Sequence, residues 1–343
     1  MTRIPMIINV KKRKIGENNP VFIIAEAGIN HNGNVKLAKK MISVAKKSGV
    51  DAIKFQTFKA SDLASPSSPY FKIFKKNELE DEEFGEISDY AREKEIIFFS
   101  TPVSEDAVDL LIKLRVPLFK ISSGDLTHLP LLRHVASKKK PIIISTGMSN
   151  LREINNAVKT INSKSNKKIM ILHCVSAYPT PMNEVNLNSI QLLKERFPYP
   201  IGYSDNGEGN LVSLTAVALG AKIIEKHFTL SKKMIGPDHS FSSDPKELED
   251  LVKKIKQTEK ILGKKEKNYQ PSEKKIRVLA RRSIITKTMI PKGTKISKKM
   301  LSIRRPATGI APSNLSKVIG NFTIKKINSN QPLKWSYLKS KRI

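Results

Sequence analysis

The chain has 343 residues and a formal net charge of +31, from 62 Lys and Arg against 31 Asp and Glu. A hydrophobic fraction of 39% is enough for a large buried core, but no run of about 18 apolar residues occurs, which argues against a membrane-spanning helix. Its single cysteine, Cys174, excludes an internal disulfide and predicts a reducing, cytoplasmic location.

The excess of lysine raises the question of a nucleic-acid partner. The lysines are spread along the whole chain, few aromatic residues lie among them, and neither a zinc-finger spacing nor an RNP-like run occurs. We therefore expect no nucleic-acid partner. A basic surface would still help an enzyme to attract anionic substrates.

Apolar strand patterns and amphipathic helix patterns alternate from residue 21 to about residue 263. The first strand candidate, Val21–Ala25, is a continuous apolar run, as expected for a parallel strand covered on both faces. The helix after it, at 36–48, ends before Gly49. Further strands are predicted at 52–56, 96–100, 118–121, 142–145, 169–173, 201–204 and 223–226, and further helices at 84–94, 104–114, 129–138, 151–162, 188–196, 211–219 and 245–262.

This alternation predicts a fold class. Eight strand–helix units in roughly 240 residues indicate an α/β fold, a (β/α)8 or TIM barrel, over residues 1–263. A doubly wound open sheet is the structural alternative, but no glycine-rich nucleotide-binding motif follows the first strand.

The pattern changes near Lys264. The polar, lysine-rich stretch 264–282 has the composition of a linker. Short strand-like runs with turn signals follow, and they predict a small β-rich module over 283–343. Such a module could stabilise the barrel, mediate dimerisation or contribute substrate contacts.

Polar side chains gather where the predicted strands end. In a barrel these C-terminal strand ends form one rim, where functional groups meet. The polar residues at or just after the eight strand ends include Glu26, Lys54, Gln56, Thr101, Lys120, Ser123, Asp125, Ser145, Ser176, Tyr178, Ser204, Asn206 and His227.

Two lysines on this rim are unusual, because Lys54 and Lys120 lie within otherwise apolar strands. A buried ammonium group is costly unless an anion meets it. With nearby hydroxyl groups, the two lysines would bind a small phosphate or carboxylate. In the alternative, each lysine pairs with a structural carboxylate, for which Glu26 and Asp125 are candidates.

Asn206 and His227 end the last two strands of the predicted barrel. An amide oxygen and an imidazole nitrogen facing one cavity could hold a divalent ion together with water. The alternative is that His227 only forms a hydrogen bond at a strand end.

Several motifs along the chain resemble those of sialic acid synthases, also called N-acetylneuraminate synthases. The C-terminal RRPATGI (304–310) resembles the antifreeze-like (SAF) domain of that family, and the likeness covers nearly the whole chain in order. The barrel motifs are IIAEAGINHNG (23–33), DAIKFQTF (51–58), FFSTP (98–102), FKISSGD (119–125), ISTGM (144–148), LHCVSAYPTP (172–181), GYSD (202–205), EKHFTL (225–230) and GPDH (236–239).

The resemblance implies an enzyme that condenses phosphoenolpyruvate with an N-acetylated amino sugar, giving a nine-carbon 2-keto acid and phosphate. It also implies a divalent metal, Mn or Mg, and a domain-swapped homodimer. Carried over by motif, the residues implied to bind phosphoenolpyruvate are Lys54, Thr101, Lys120, Ser123, Ser145, Ser176 and Ser204. Those implied to face the sugar or the reacting carbons are Glu26, Gln56, Asp125, Tyr178 and Asp238, and Arg305 would reach the sugar's N-acetyl group in the partner's site.

One departure from the family pattern affects the expected metal site. The family has SDH where this chain has SDN, so Asn206 replaces a histidine ligand. An amide oxygen suits a hard cation but binds softer metals less well than imidazole, so weaker affinity or a shifted metal preference is expected. N-acetylmannosamine and 2,4-diacetamido-2,4,6-trideoxymannose both remain open as the acceptor. A different class also remains open, that of a catalytically silent sugar-binding or scaffold homologue that lost its metal chemistry at Asn206.

Overall fold

The computed structural model describes residues 6–339 and divides the chain into two compact units, Met1–Gly263 and Lys264–Ile343. The first five residues of the predicted domain 1–263 and the last four of the predicted module 283–343 lie outside the described residues. No helix within residues 6–339 combines the length and apolarity that crossing a membrane requires.

The first unit is a closed barrel of eight parallel strands, in which each strand pairs with its neighbours in chain order and the last pairs with the first. This confirms the predicted (β/α)8 fold. The strands are β3 (Phe22–Gly28), β4 (Ala52–Thr57), β5 (Ile97–Pro102), β6 (Phe119–Ile121), β7 (Ile142–Ser145), β8 (Ile169–Cys174), β9 (Ile201–Asp205) and β10 (Ile223–His227), preceded by the hairpin strands β1 (Ile8–Val10) and β2 (Arg13–Ile15).

The helices cover the outer face of the barrel, and their ends follow local capping chemistry. The longest begins at Pro245 with Asp244 as N-cap, whose side chain accepts hydrogen bonds from the amides of Lys246 and Glu247. The helices of the first unit are α1 (Val35–Ser48), α2 (Ala60–Leu63), α3 (Phe71–Asn77), α4 (Asp81–Glu93), α5 (Glu105–Lys113), α6 (Leu129–Ser137), α7 (Leu151–Ser163), α8 (Asn188–Arg196), α9 (Leu211–Ala218) and α10 (Pro245–Leu262).

Burial of both strand faces explains the apolar runs in the sequence. Every residue of β3, β5 and β8 is buried, because one face packs inside the barrel and the other packs against the helices. Polar residues in these strands therefore need partners in the interior.

The barrel has one irregularity at its functional rim. The register between β3 and β4 shifts between Glu26 and Gly28, which is a β-bulge. Bulges redirect side chains and are frequent beside active sites. Here the bulge turns the end of β3 at the residue that follows Glu26.

The second unit is β-rich and has its own apolar core. The stretch 264–282, predicted to be a linker, contains the helix α11 (Lys274–Ala280). The remaining elements are β11 (Ser283–Thr286), β12 (Leu301–Arg304), α12 (Leu315–Val318), β13 (Phe322–Thr323) and β14 (Leu338–Lys339), with β11 antiparallel to β12 and β13 antiparallel to β14.

Candidate active site

A cavity of about 470 Å³ opens at the C-terminal ends of the barrel strands. All eight strands, or the loops directly after them, contribute side chains to its wall. The predicted site residues that line it are Glu26, Lys54, Gln56, Thr101, Lys120, Ser123, Asp125, Ser145, Tyr178, Ser204, Asn206, His227 and Asp238.

Strand alternation decides which side chains enter this cavity. Glu225 and His227 are two residues apart in β10, so both point into the barrel. Lys226 lies between them and points to the opposite face, where its Nζ lies 3.0 Å from Asp205 Oδ2. The motif EKH thus serves two different ion-pair networks.

Two lysines and two glutamates form a buried charge cluster at the base of the cavity. Lys54 Nζ lies 2.8 Å from Glu26 Oε2, and Lys120 Nζ lies 2.9 Å from Glu225 Oε1. The same Glu225 oxygen lies 3.8 Å from Lys54 Nζ, so one carboxylate links both lysines. The lysines are therefore paired with carboxylates, as in the alternative considered above, but the partner of Lys120 is Glu225 rather than Asp125.

The ionisation of this cluster follows from burial and charge together. Burial favours the neutral form of Glu225, but Lys120 and Lys54 outweigh it and lower the pKa to about 2. Burial raises the pKa of Glu26 to about 7, because Lys54 only partly offsets it. Glu225 is thus a fixed anion, whereas Glu26 can take or release a proton near neutral pH.

The pKa values of the two lysines are shifted in opposite directions. Burial lowers the pKa of Lys120, and Glu225 does not fully compensate. The pKa of Lys54 is raised, because Glu225 and Glu26 together outweigh its burial. Lys54 is therefore the more firmly charged of the two.

Hydroxyl groups surround the lysines on neighbouring strands. Thr101 Oγ1 accepts a hydrogen bond from Lys54 Nζ at 3.1 Å, and Ser204 Oγ donates to Glu225 Oε1 at 3.1 Å. Ser145 Oγ is buried without a hydrogen-bond partner among residues 6–339. An unpaired buried hydroxyl on a cavity wall can bond to a ligand oxygen without first breaking a contact within the protein.

Glu26 has a second contact beside the bulge. Its Oε1 accepts a hydrogen bond from Gln56 Nε2 at 3.4 Å. Gly28 adopts φ +52°, and a Cβ on it would lie 3.3 Å from Glu26 Oε1 and 3.7 Å from Asp238 Oδ2. Glycine at this position leaves room for both carboxylates.

The rim also offers donors for a divalent cation. His227 Nδ1 is buried without a hydrogen-bond partner among the described residues, and burial lowers the pKa of this imidazole to about 3. A neutral ring with a free nitrogen is the form that binds metals. Asp238 Oδ2 lies 3.9 Å from this nitrogen.

Asn206 is already oriented by the protein. Its Nδ2 donates to Val175 O at 2.8 Å, which leaves its amide oxygen as the atom available for a cation. No group of three or more His, Cys, Asp or Glu side chains among residues 6–339 could hold a metal by itself. His227 and Asn206 fit a hard divalent ion that keeps water or substrate oxygens as its other ligands.

Two aromatic rings pack against the imidazole. The ring centroid of His227 lies 5.1 Å from that of Phe241 and 5.7 Å from that of Tyr178. Tyr178 is 54% exposed at the mouth, so it can contact a ligand that enters. Asp125 lies across the opening and accepts a hydrogen bond from Ser122 Oγ at 2.6 Å.

The two remaining predicted residues are Ser176 and Arg305. Ser176 does not line the cavity; its Oγ is buried without a hydrogen-bond partner in the described part of the chain and lies against Gly147. Arg305 belongs to the second unit, and its side chain is exposed. Their predicted roles in substrate binding stay predictions.

Glu225 lines the cavity but is not among the site residues predicted from the sequence. It belongs to the motif EKHFTL, in which only His227, the residue at the strand end, is predicted to be a site residue. A usable signal was present, because two lysines in apolar strands require two carboxylates and Glu225 is also in an apolar strand.

Both parts of the chain match known protein families. Residues 41–267 match the NeuB family and residues 281–339 match the SAF domain. An N,N'-diacetyllegionaminic acid synthase of Legionella pneumophila is 43% identical over 344 residues, covering 95% of this chain and 96% of that protein. The N-acetylneuraminate-9-phosphate synthase of Homo sapiens is 34% identical over 339 residues, covering 94% and 93%.

A solved structure agrees with these relatives. The crystal structure of N-acetylneuraminic acid (sialic acid) synthetase from Leptospira borgpetersenii, in complex with citrate, matches with a TM-score of 0.77 and 37% identity. The match covers 80% of this chain and 96% of that one.

Proposed function

Because the chain belongs to the NeuB family, we propose that it condenses phosphoenolpyruvate with an N-acetylated amino sugar to form a nine-carbon 2-keto acid and phosphate. One observation carries the proposal: Lys54, Lys120 and His227 converge on a single closed-barrel cavity. Two buried ammonium groups suit a small, highly charged donor, and an available imidazole nitrogen suits a cation beside it.

The donor would bind at the base of the cavity. Lys54 and Lys120 meet its phosphate and carboxylate groups, and Thr101, Ser123, Ser145 and Ser204 supply hydroxyl contacts. Glu225 Oε1 lies 3.8 Å from Lys54 Nζ and 2.9 Å from Lys120 Nζ. This carboxylate therefore holds the two ammonium groups near each other before the donor binds. Preorganisation of this kind reduces the reorganisation needed during the reaction.

The chemistry consists of carbon–carbon bond formation followed by addition of water. The methylene carbon of phosphoenolpyruvate attacks the aldehyde carbon of the open-chain sugar, the aldehyde oxygen takes up a proton to become a hydroxyl group, and positive charge develops on the carbon that bears phosphate. Water adds to that carbon and loses a proton, and phosphate departs with cleavage of the C–O bond. A divalent Mn or Mg ion, when held by His227 and Asn206, would supply Lewis-acid polarisation of the aldehyde.

Glu26 is the candidate for positioning or deprotonating the water. It is buried in the cavity, and its pKa of about 7 matches a general base that works near neutral pH. Gln56, Asp125, Tyr178 and Asp238 would face the sugar or the reacting carbons. If Glu26→Gln retains near-normal turnover with an unchanged fold, this role is wrong.

For the acceptor we propose 2,4-diacetamido-2,4,6-trideoxymannose rather than N-acetylmannosamine. Support comes from the greater identity to the diacetyllegionaminic acid synthase, 43% against 34% for the human neuraminate-9-phosphate synthase. Each sugar is incubated with phosphoenolpyruvate, phosphate release is measured, and the product mass is determined. Faster turnover of N-acetylmannosamine would reverse the choice. Tight sugar binding without phosphate release from any acceptor would support the silent homologue instead.

We also propose a domain-swapped homodimer in which Arg305 serves the partner's cavity. The exposed Arg305 side chain supports this role. Arg305→Ala and Lys54→Met subunits, each inactive alone, are mixed and allowed to exchange. Activity should return, because one mixed site combines an intact Lys54 with the other subunit's Arg305. A mixture that stays inactive although mass spectrometry detects mixed dimers would overturn the swap.

The buried, unpaired Cys174 supports action in the reducing cytoplasm. Fractionation of the source cells with an antibody to the chain checks this location. Recovery outside the cytoplasmic fraction would contradict it.

A further inference from the structure

A second large cavity lies at the opposite end of the barrel from the candidate active site. Its volume is about 660 Å³, and its wall includes residues that directly precede β4 and β5. The hairpin of β1 and β2 forms one side, and the last turns of α1 and α4 form the other. The lining residues are Lys11, Lys12, Arg13, Lys46, Val50, Asp51, Arg92, Glu95, Ile96 and Ile97.

The charge of this cavity is unbalanced. Five of its lining residues are cationic and two are acidic. Arg13 is matched by Asp51, with Nε 3.1 Å from Oδ1. Apart from this pair, the lining has four cationic side chains, those of Lys11, Lys12, Lys46 and Arg92, and one carboxylate, that of Glu95. The candidate active site differs, because there each buried lysine has its own glutamate.

Two of the four cations already have local roles. Lys46 Nζ donates to the main-chain oxygen of Glu95 at 2.8 Å, and Arg92 pairs with Asp89 at 2.6 Å. Both also lie in last helical turns, where cations complement the helix dipole. Lys11 and Lys12 differ, since within residues 6–339 neither forms an ion pair or a side-chain hydrogen bond.

Lys11 lies in the turn of the hairpin. It occupies the first turn position of the hairpin with φ +49°, in the left-handed region that favours glycine. Partial burial and the charge of Arg92 lower the pKa of its ammonium group. The left-handed conformation belongs to the tight hairpin turn. The like-charge repulsion at the ammonium group would be relieved by a bound anion.

We propose that this cavity binds a small phosphorylated ligand, whose phosphate groups lie between Lys11, Lys12 and Arg92. Val50, Ile96 and Ile97 form an apolar floor for an organic part of the ligand. The volume is in the range of small-molecule sites, roughly 300–1,000 Å³. This site is separate from the phosphoenolpyruvate site and does not depend on the catalytic proposal.

Calorimetric titration with pyrophosphate and with ADP tests the proposal. The heat that remains in Lys11→Gln/Lys12→Gln measures any contribution of the candidate active site, so the difference between this variant and the wild-type chain reports the proposed site. Lys11→Gln/Lys12→Gln should weaken both probes by about tenfold or more, as expected for the loss of charge-assisted contacts. The ratio of the two affinities distinguishes an inorganic ligand from a nucleotide-like one.

The matched control is Lys264→Gln/Lys265→Gln, an exposed adjacent pair with the same change in net charge. It should change both affinities less than about twofold. Equal weakening in the two variants would show general charge attraction and overturn the site, as would absence of heat with the wild-type chain.

A third variant separates binding from folding. Lys11→Gly removes the ammonium group and also the left-handed strain, so the urea midpoint should stay or rise while the probes bind more weakly. Unchanged probe affinity in this variant, with the fold intact, would also overturn the proposal.

Discussion

Lys120 and Glu225 lie on β6 and β10, on opposite sides of the barrel, and their charged atoms meet 2.9 Å apart in its interior. The pair therefore spans the barrel rather than joining adjacent strands. Both side chains are 4% exposed, so water screens the attraction very little. This contact holds the two cationic groups of the candidate donor site in one place.

Glu225→Gln is predicted to impair both activity and stability. The neutral amide keeps the shape of the side chain but leaves Lys120 without a counter-charge in a buried position. Loss of one partner of a buried pair costs about 3–5 kcal/mol, and misplacement of the lysines should lower kcat/KM about 10²-fold. Urea unfolding and steady-state kinetics measure the two effects.

An exposed pair of the same type is the control for this prediction. Glu86 Oε2 lies 2.7 Å from Lys39 Nζ, with side chains 57% and 33% exposed. Glu86→Gln should cost less than about 1 kcal/mol and leave turnover unchanged. If Glu225→Gln changes stability and turnover as little as this control does, the buried cluster contributes neither to the stability of the fold nor to catalysis.

Gly28→Ala is predicted to reduce activity more than stability. Alanine at φ +52° adds about 1–2 kcal/mol of strain, and its Cβ, 3.3 Å from Glu26 Oε1, displaces that carboxylate. Gly85→Ala is the matched control, because a Cβ there meets nothing within 4 Å in the middle of α4. It should stabilise by about 0.5–1 kcal/mol with normal kinetics. Wild-type turnover in Gly28→Ala would refute the close-approach argument.

The metal proposal is tested by stripping and titration. Chelation should abolish activity, and Mn or Mg should restore it, since His227 Nδ1 has no hydrogen-bond partner within residues 6–339 and is free to bind a metal. Asn206→His replaces an amide oxygen by imidazole and should lower the Mn concentration that gives half-maximal activity. His227→Ala should prevent Mn binding, measured by calorimetry as well as by turnover. Activity that is indifferent to chelation would remove the metal from the mechanism.

Asp205→Asn is predicted to destabilise the rim without touching the cavity. Asp205 Oδ2 lies 3.0 Å from Lys226 Nζ, and Oδ1 accepts the amide of Gly207 at 2.9 Å, next to Asn206. Neutralisation leaves Lys226, which is 1% exposed, without a counter-charge, at a cost of about 3–5 kcal/mol.

Urea unfolding measures this cost. Asp250→Asn, in an exposed pair with Lys254, is the control and should cost less than about 1 kcal/mol. Equal effects of the two substitutions would mean that the buried network is dispensable.

Most of the barrel and much of the site could be predicted from the sequence, for a physical reason. Continuous apolar runs separated by amphipathic helices indicate parallel strands covered on both faces, and the ends of such strands must share one rim. A lysine in a buried strand is itself a signal, because it requires an anion. Lys54 and Lys120, which lie in two such strands, both line the cavity at that rim.

The partners of these lysines were decided by the tertiary structure. Closure of the barrel brings Glu225 across the interior to Lys120, and the lack of a side chain at Gly28 leaves space that Glu26 and Asp238 share. The hairpin that places Lys11 at the far cavity likewise depends on contacts with residues distant in sequence, such as Arg13 with Asp51. Strand period and burial are encoded locally, whereas pairing across a closed barrel depends on register and closure, which no single segment of the sequence contains.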